Sequence, residues 1–271
     1  MAMHLLIFGL GFTTRRLAER LRARGCKITA TSRSGAPGTI LLGSDETAAA
    51  IAGATHILSS IPPTDGIDPV LTRHAAALVN SPARWIGYLS STGVYGDTGG
   101  AWIDETAAMG GRRTDRIVAD QAWQALRPDV RIFRLPGIYG PGRSAVDQIR
   151  LGKAHRVDTD QVFSRIHADD IGTAVLTSFE RGTSGVYNLG DDEPTPGRVV
   201  VEYACDLLGQ SYPPLISPNS PKLSPMARGF YTESRRVSVA KARRELGFIP
   251  NFSNYRAGLR ACLFGSFRPV Q

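Results

Sequence analysis

Short apolar runs alternate with helical patterns along the first half of this chain, and few architectures accept that rhythm. His4 to Phe8 leads into a helical pattern ending near Arg24. Lys27 to Thr31 and Ile40 to Leu42 precede an Ala-rich helix, and His56 to Ser60 precedes a helix from Val70 to Asn80. Trp85 to Ser90 is followed by a helix from about Asp115 to Leu126, the strand "VRIFRLP" and a further strand from Val186 to Leu189. Strands joined through helices become parallel neighbours with helices on both faces. The expected fold class is therefore α/β, a Rossmann-type doubly wound parallel sheet with a small C-terminal substrate lobe. The 271 residues, 42% of them hydrophobic, suffice for one large core. After Gly140 the alternation lapses. Prolines crowd "SYPPLISPNSPKLSP", and "VAKARREL" and "YRAGLRACL" read as short helices. We read residues 1–271 as a single domain whose lobe comprises mainly about 140–165 and 194–271, folded against the carboxyl edge of the sheet.

The stretch "LLIFGLGFTTRRLAERL" passes from strand to helix through Gly-x-Gly. Gly9 suits the tight turn, and Gly11 lets the backbone approach a pyrophosphate held on the amino end of the next helix, with Phe12, Thr13 and Thr14 beside it. Thr14 stands where a third small residue is expected, and its hydroxyl is able to face the phosphate. At the end of the second strand, "TSRSG" offers Ser32 and Arg33, where an NAD-binding chain carries an acid for the ribose 2′-hydroxyl. An arginine there suits the 2′-phosphate of NADP, so NADP is expected over NAD.

The formal charge of +8 comes from dispersed arginines without a lysine-rich block or interleaved aromatics, which argues against nucleic acid and fits a phosphorylated small-molecule substrate. Cys26, Cys205 and Cys262 are far apart, lack CxxC spacing and read as inert thiols. His4, His56, His74 and His155 show no metal-ligand spacing, so no metal is expected. Neither a secretory signal nor a membrane span is read, and the expected compartment is cytoplasmic. Apolar helical faces that pair subunits read the same as faces that pack on a sheet, so a homodimer stays open.

Five segments in order, "YLSSTGVYGDTGG", "RLPGIYGPGRS", "SRIHADDIG", "YNLGDDEP" and "KARRELGF", resemble the extended short-chain dehydrogenase/reductase superfamily, of the NAD-dependent epimerase/dehydratase type and particularly its atypical members. The resemblance spans nearly the whole chain. It implies that Ser91 is the catalytic serine holding the substrate oxygen, with Thr92 beside it, and that Ser59, Pro136 and Ile138 line the cofactor. The family's acid/base tyrosine and its lysine, four residues apart, fall at Arg112 and Arg116, so the tyrosine is absent. Arg116 can still hold ribose or phosphate, whereas a guanidinium is a poor proton shuttle. Tyr95 and Tyr139 are candidate replacement phenols. Arg143, Arg235 and Arg236 form a candidate anion clamp, because the family's late "ESRRV"-like stretch helps bind a diphosphate. His167 reads as a hydrogen-bonded structural residue, and Asp169 as the cap of the helix running towards Phe179.

The leading expectation is an oxidoreductase or epimerase/dehydratase-like protein acting on a carbonyl or alcohol, including a nucleotide sugar. The alternative, favoured by the missing tyrosine, is a non-catalytic NADP(H)-sensing binding protein.

Overall fold

The computed structural model describes residues 3–264. Seven strands form one all-parallel sheet: β1 (His4–Phe8), β2 (Lys27–Ser32), β3 (Ile40–Leu41), β4 (His56–Ser59), β5 (Trp85–Ser91), β6 (Val130–Leu135) and β7 (Gly185–Asn188). Their spatial order is β7-β6-β5-β4-β1-β2-β3. The order reverses between β1 and β4, and the crevice at such a switch point is where doubly wound sheets bind ligands. All five residues of β1 are buried, as a central strand covered on both faces requires.

Helices cover both faces. α1 (Phe12–Arg22) and α6 (Ala168–Thr177) lie on one, and α2 (Asp45–Gly53), α3 (Pro69–Val79) and α4 (Thr114–Leu126) on the other. Two separate clusters result, one holding Leu17, Leu21, Phe133 and Ile171, the other Ile51, Leu78, Tyr88 and Trp123. Asp68 caps α3 by accepting from the amides of Val70 and Leu71 at 2.9 Å, while its other oxygen accepts from the Trp123 indole at 2.8 Å. One carboxylate thus starts α3 and positions α4. Arg134 of β6 reaches across to Asp120 of α4 in a buried fork, Nη2 to Oδ1 at 2.8 Å and Nε to Oδ2 at 3.1 Å. Ser90 of β5 donates to the same carboxylate at 2.5 Å.

The lobe has a core of its own. α5 (Ala145–Arg150), α7 (Gly197–Leu208) and α9 (Tyr255–Phe264) enclose Val146, Val200, Ala204, Tyr255 and Leu259. The Pro-rich stretch supplies only the short strand Leu215–Ile216, paired with Arg156–Val157, and the helix α8 (Pro225–Phe230). "VAKARREL" contains a π-helical turn over Ala242–Leu246.

One expected cap is corrected. α6 begins at Ala168, and His167 is its cap, Nδ1 accepting from the Asp169 amide at 3.2 Å. Asp169 instead lies in the first turn and binds Arg16 of α1 through two contacts, at 2.6 and 2.8 Å. The arginine outcompetes the backbone because two charge-assisted bonds exceed one cap bond. His167 is buried and structural, as expected, and burial lowers its pKa to about 4, so the ring is neutral near pH 7.

Candidate functional site

A cleft of about 700 Å³ opens along the carboxyl ends of the central strands. Gly11 and Phe12 enter it after β1, Ser60 and Pro62 after β4, Ser91 and Gly93 after β5, and Pro136 and Ile138 after β6. The two glycines of the first turn differ in kind. Gly9 adopts φ +88°, and a Cβ there would lie 2.8 Å from Ile61 Cγ1, so the fold itself demands glycine. Gly11, the residue preceding α1, has an ordinary φ of −92°, and a Cβ built on it meets nothing within 4 Å. No neighbour among the described residues requires glycine at 11. Its bareness leaves backbone open towards the cleft at a helix amino end, the surface a pyrophosphate needs.

Thr14 is 1% exposed, and its hydroxyl donates to Gly9 O at 2.7 Å while accepting from the Gly11 amide at 3.0 Å. The hydroxyl therefore braces the turn rather than facing a phosphate, which corrects the expectation from sequence. Phe12 and Thr13 line the cleft, and the Arg143 guanidinium lies 5.6 Å from the Phe12 ring centre. Ser59 is fully buried in β4 and does not line the cleft. Side chains alternate faces along a strand, and it is Ser60, donating to Gly9 O at 2.7 Å, that stands at the opening. Ser32 bonds Thr39 Oγ1 and the Ala36 amide, and Arg33 is exposed at the end of β2.

Ser91 ends β5 facing the cleft, where its Oγ accepts from the Gly93 amide at 3.1 Å. Thr92 is buried at the cleft wall. Both candidate phenols are buried. Tyr95 lies outside the cleft, 4% exposed, donating to Asn188 Oδ1 at 2.7 Å and accepting from Arg134 at 2.9 Å. Burial raises its pKa, so the hydroxyl stays protonated and structural. Tyr139 lines the cleft, but its hydroxyl packs against Gly258 of α9, where a Cβ would lie 2.0 Å from it. Burial raises that pKa as well, far from what a proton shuttle needs. The structure thus corrects both tyrosines as acid/base candidates.

Arginines carry the charge of the lining instead. Arg112, Arg113, Arg116, Arg143, Arg165 and Arg235 line the cleft, and Glu233 is the one carboxylate among the described lining residues. Arg235 bonds Gly96 O and, at 3.0 Å, Glu233, which also sits 3.7 Å from Arg112. Arg165 is held by the carbonyls of Phe163 and Thr195, both at 2.8 Å. Arg236 turns away to Gly100 O, so it drops out of the expected clamp. Sequence reasoning missed Arg113, Arg165 and Glu233. The fragments "GRRTDR" and "FSRIH" carry the charges, but which of them faces a cleft depends on register set by distant packing.

No protein-family model matches the chain, and no curated protein matches it. Solved structures do. A functionally unknown conserved protein from Silicibacter pomeroyi is 39% identical over 98% of this chain and 99% of its own, with a TM-score of 0.90. Human epimerase family protein SDR39U1, solved with NADPH, is 18% identical over 97% of this chain and all of its own, with a TM-score of 0.78. MoeE5 in complex with UDP-glucose and NAD is 21% identical over 96% of this chain and 97% of its own, also at 0.78. This chain belongs to one family with the Silicibacter protein, and it shares its fold with the epimerase and dehydratase structures. Arg112, which the sequence resemblance sets against the family tyrosine, precedes α4, and Arg116, set against the lysine, lies in its first turn.

Proposed function

We propose that this chain binds NADP(H) in the cleft and acts on a small carbonyl or alcohol substrate as an oxidoreductase or epimerase/dehydratase. The observation that carries the reading is the bare, unobstructed Gly11 at the amino end of α1, beside the sheet's switch point. When bound, the nicotinamide supplies or takes up hydride. Gly11, Thr13 and Ser60 border the pyrophosphate position, Pro136 and Ile138 the nicotinamide, and Arg33 the 2′-phosphate. Ser91 holds the reacting oxygen by donating to it, since its own hydrogen is not used by the Gly93 amide. The ligands of the neighbours, NADPH in the human protein and NAD with UDP-glucose in MoeE5, support the same class.

A second reading, a non-catalytic protein that senses the redox state of NADP(H), draws on one observation: the Tyr95 hydroxyl is bonded away from the cleft and the Tyr139 hydroxyl is buried against α9. The deciding experiment is a fluorescence titration of cofactor-stripped protein with NADPH and NADH, followed by a panel of carbonyl compounds and nucleotide sugars with NADPH. Turnover that falls in Ser91→Ala supports the enzyme. Tight binding with no turnover supports the sensor, and binding of neither dinucleotide refutes both.

A further inference from the structure

We infer that the cleft holds a second anion beside Ser91, a carboxylate or phosphate of the substrate itself, with Arg113 as its principal partner. This deepens the cleft reading above and rests on it. Of the six lining arginines, Arg112 and Arg235 share Glu233, and Arg165 is fixed by two carbonyls. Arg116 lies beside the buried Tyr88 hydroxyl, and Arg143 is exposed and lies on Phe12, at the first turn. Arg113 is different. It is half-buried, and its guanidinium has no hydrogen bond or ion pair among the described residues. A desolvated cation without a partner is costly, and such groups ordinarily find a carboxylate. Burial, then the like charges of Arg116 and Arg112, disfavour its charged form. Asp115 and Glu233 offset this only through space, with no ion pair to the guanidinium among the described residues, so the arginine is a poor structural choice and a good ligand-binding one.

Its position narrows the ligand. A Cβ built on Gly93 would sit 3.3 Å from Ser91 Oγ and 3.7 Å from Arg113 Cδ. The serine hydroxyl and the Arg113 side chain therefore converge over Gly93, which keeps that spot free of a side chain of its own. A substrate whose reacting oxygen meets Ser91 places its adjoining group within the reach of Arg113. That group is an anion, because guanidinium offers only donors in a planar fork suited to carboxylate or phosphate. A neutral sugar hydroxyl would leave the charge unmatched.

The test is calorimetric titration with oxalate and with inorganic phosphate, each with and without saturating NADPH, so that the anion site is read whichever way the dinucleotide behaves. The wild-type protein should bind at least one probe, and the tighter of the two names the group. Arg113→Gln should weaken that binding at least about tenfold, the loss of one charge-assisted contact. Arg113→Lys should recover part of it, and NADPH affinity should change in neither variant. Because Arg113 has no partner to lose, the ligand-free Arg113→Gln protein should melt no lower than wild type, an outcome a structural arginine would not give. Equal anion affinity in wild type and Arg113→Gln, or no binding of either probe, overturns the inference. Loss of NADPH binding in the wild type would instead refute the proposed function.

Discussion

Replacing Gly11 and Gly9 in turn by alanine separates a glycine kept for a ligand from one kept for the fold. At Gly11 the backbone is in ordinary territory and the new methyl meets no atom of the described residues within 4 Å. Alanine is a poorer residue than glycine before a helix, costing about 0.5–1 kcal/mol, while the unfolded chain loses freedom worth about 0.4–1 kcal/mol. The terms oppose, so Gly11→Ala should melt within about 2 °C of wild type, at about 2–4 °C per kcal/mol for a chain this size. Its methyl would nonetheless occupy the space where the pyrophosphate meets the backbone, and NADPH affinity should drop at least about tenfold, or about 1.4 kcal/mol. Gly9→Ala meets both φ +88° and Ile61 Cγ1 at 2.8 Å. About 1–2 kcal/mol for the left-handed backbone alone predicts a fall of about 2–8 °C. Thermal unfolding without ligand and NADPH fluorescence titration read both effects. A Gly11→Ala protein that binds NADPH like wild type would refute the reasoning, and so would one that melts as low as Gly9→Ala.

Three further outcomes are expected. Asp120→Asn leaves Arg134 buried with its counter-charge gone and should cost about 3–5 kcal/mol in urea unfolding; a loss under about 1 kcal/mol would show that the pair is dispensable. His167 and His56 have folded pKa values lowered to about 4 by burial, below the unfolded value near 6.5, so both favour the folded state above that value and lose the contribution as pH falls through 6.5 to 4. Asp191, raised to about 7 by burial, opposes this by taking up a proton on folding, so the stability difference between wild type and His167→Asn, which keeps a capping side chain, isolates the histidine and should shrink from pH 7 to pH 4. A constant difference would place the His167 titration elsewhere. Arg33→Glu should lower affinity for NADPH relative to NADH at least about tenfold by fluorescence titration, and an unchanged ratio would remove Arg33 from the 2′-phosphate.

The alternation of apolar runs made the sheet legible because strands buried on both faces leave continuous hydrophobic signals, and the seven strand positions read from sequence agree with the structure within a residue or two. Ser91 and the first turn were legible for a local reason, since both are strand ends followed at once by a turn. What escaped depended on packing across long separations. Thr14 reads as a missing glycine until its hydroxyl is seen bridging Gly9 and Gly11. Ser59 and Ser60 differ by one position in strand register, which decides burial or exposure to the cleft. Tyr95 and Tyr139 look equally able to serve as acids, and only the placement of Asn188, Arg134 and Gly258 removes them.

The fork between Arg16 and Asp169 joins residues 153 positions apart, and it has a consequence in time. The face of α1 that carries Leu17 and Leu21 shares a core with Ile171, Ala174 and Val175 of α6. As the chain emerges during synthesis at about 5–20 residues per second, α1 waits on the order of ten seconds for the helix that covers it. Throughout that interval, the segment bearing the Gly-x-Gly turn can pair β1 with β2 and β4 but cannot complete its own packing. The half of the molecule that is read first is finished among the last.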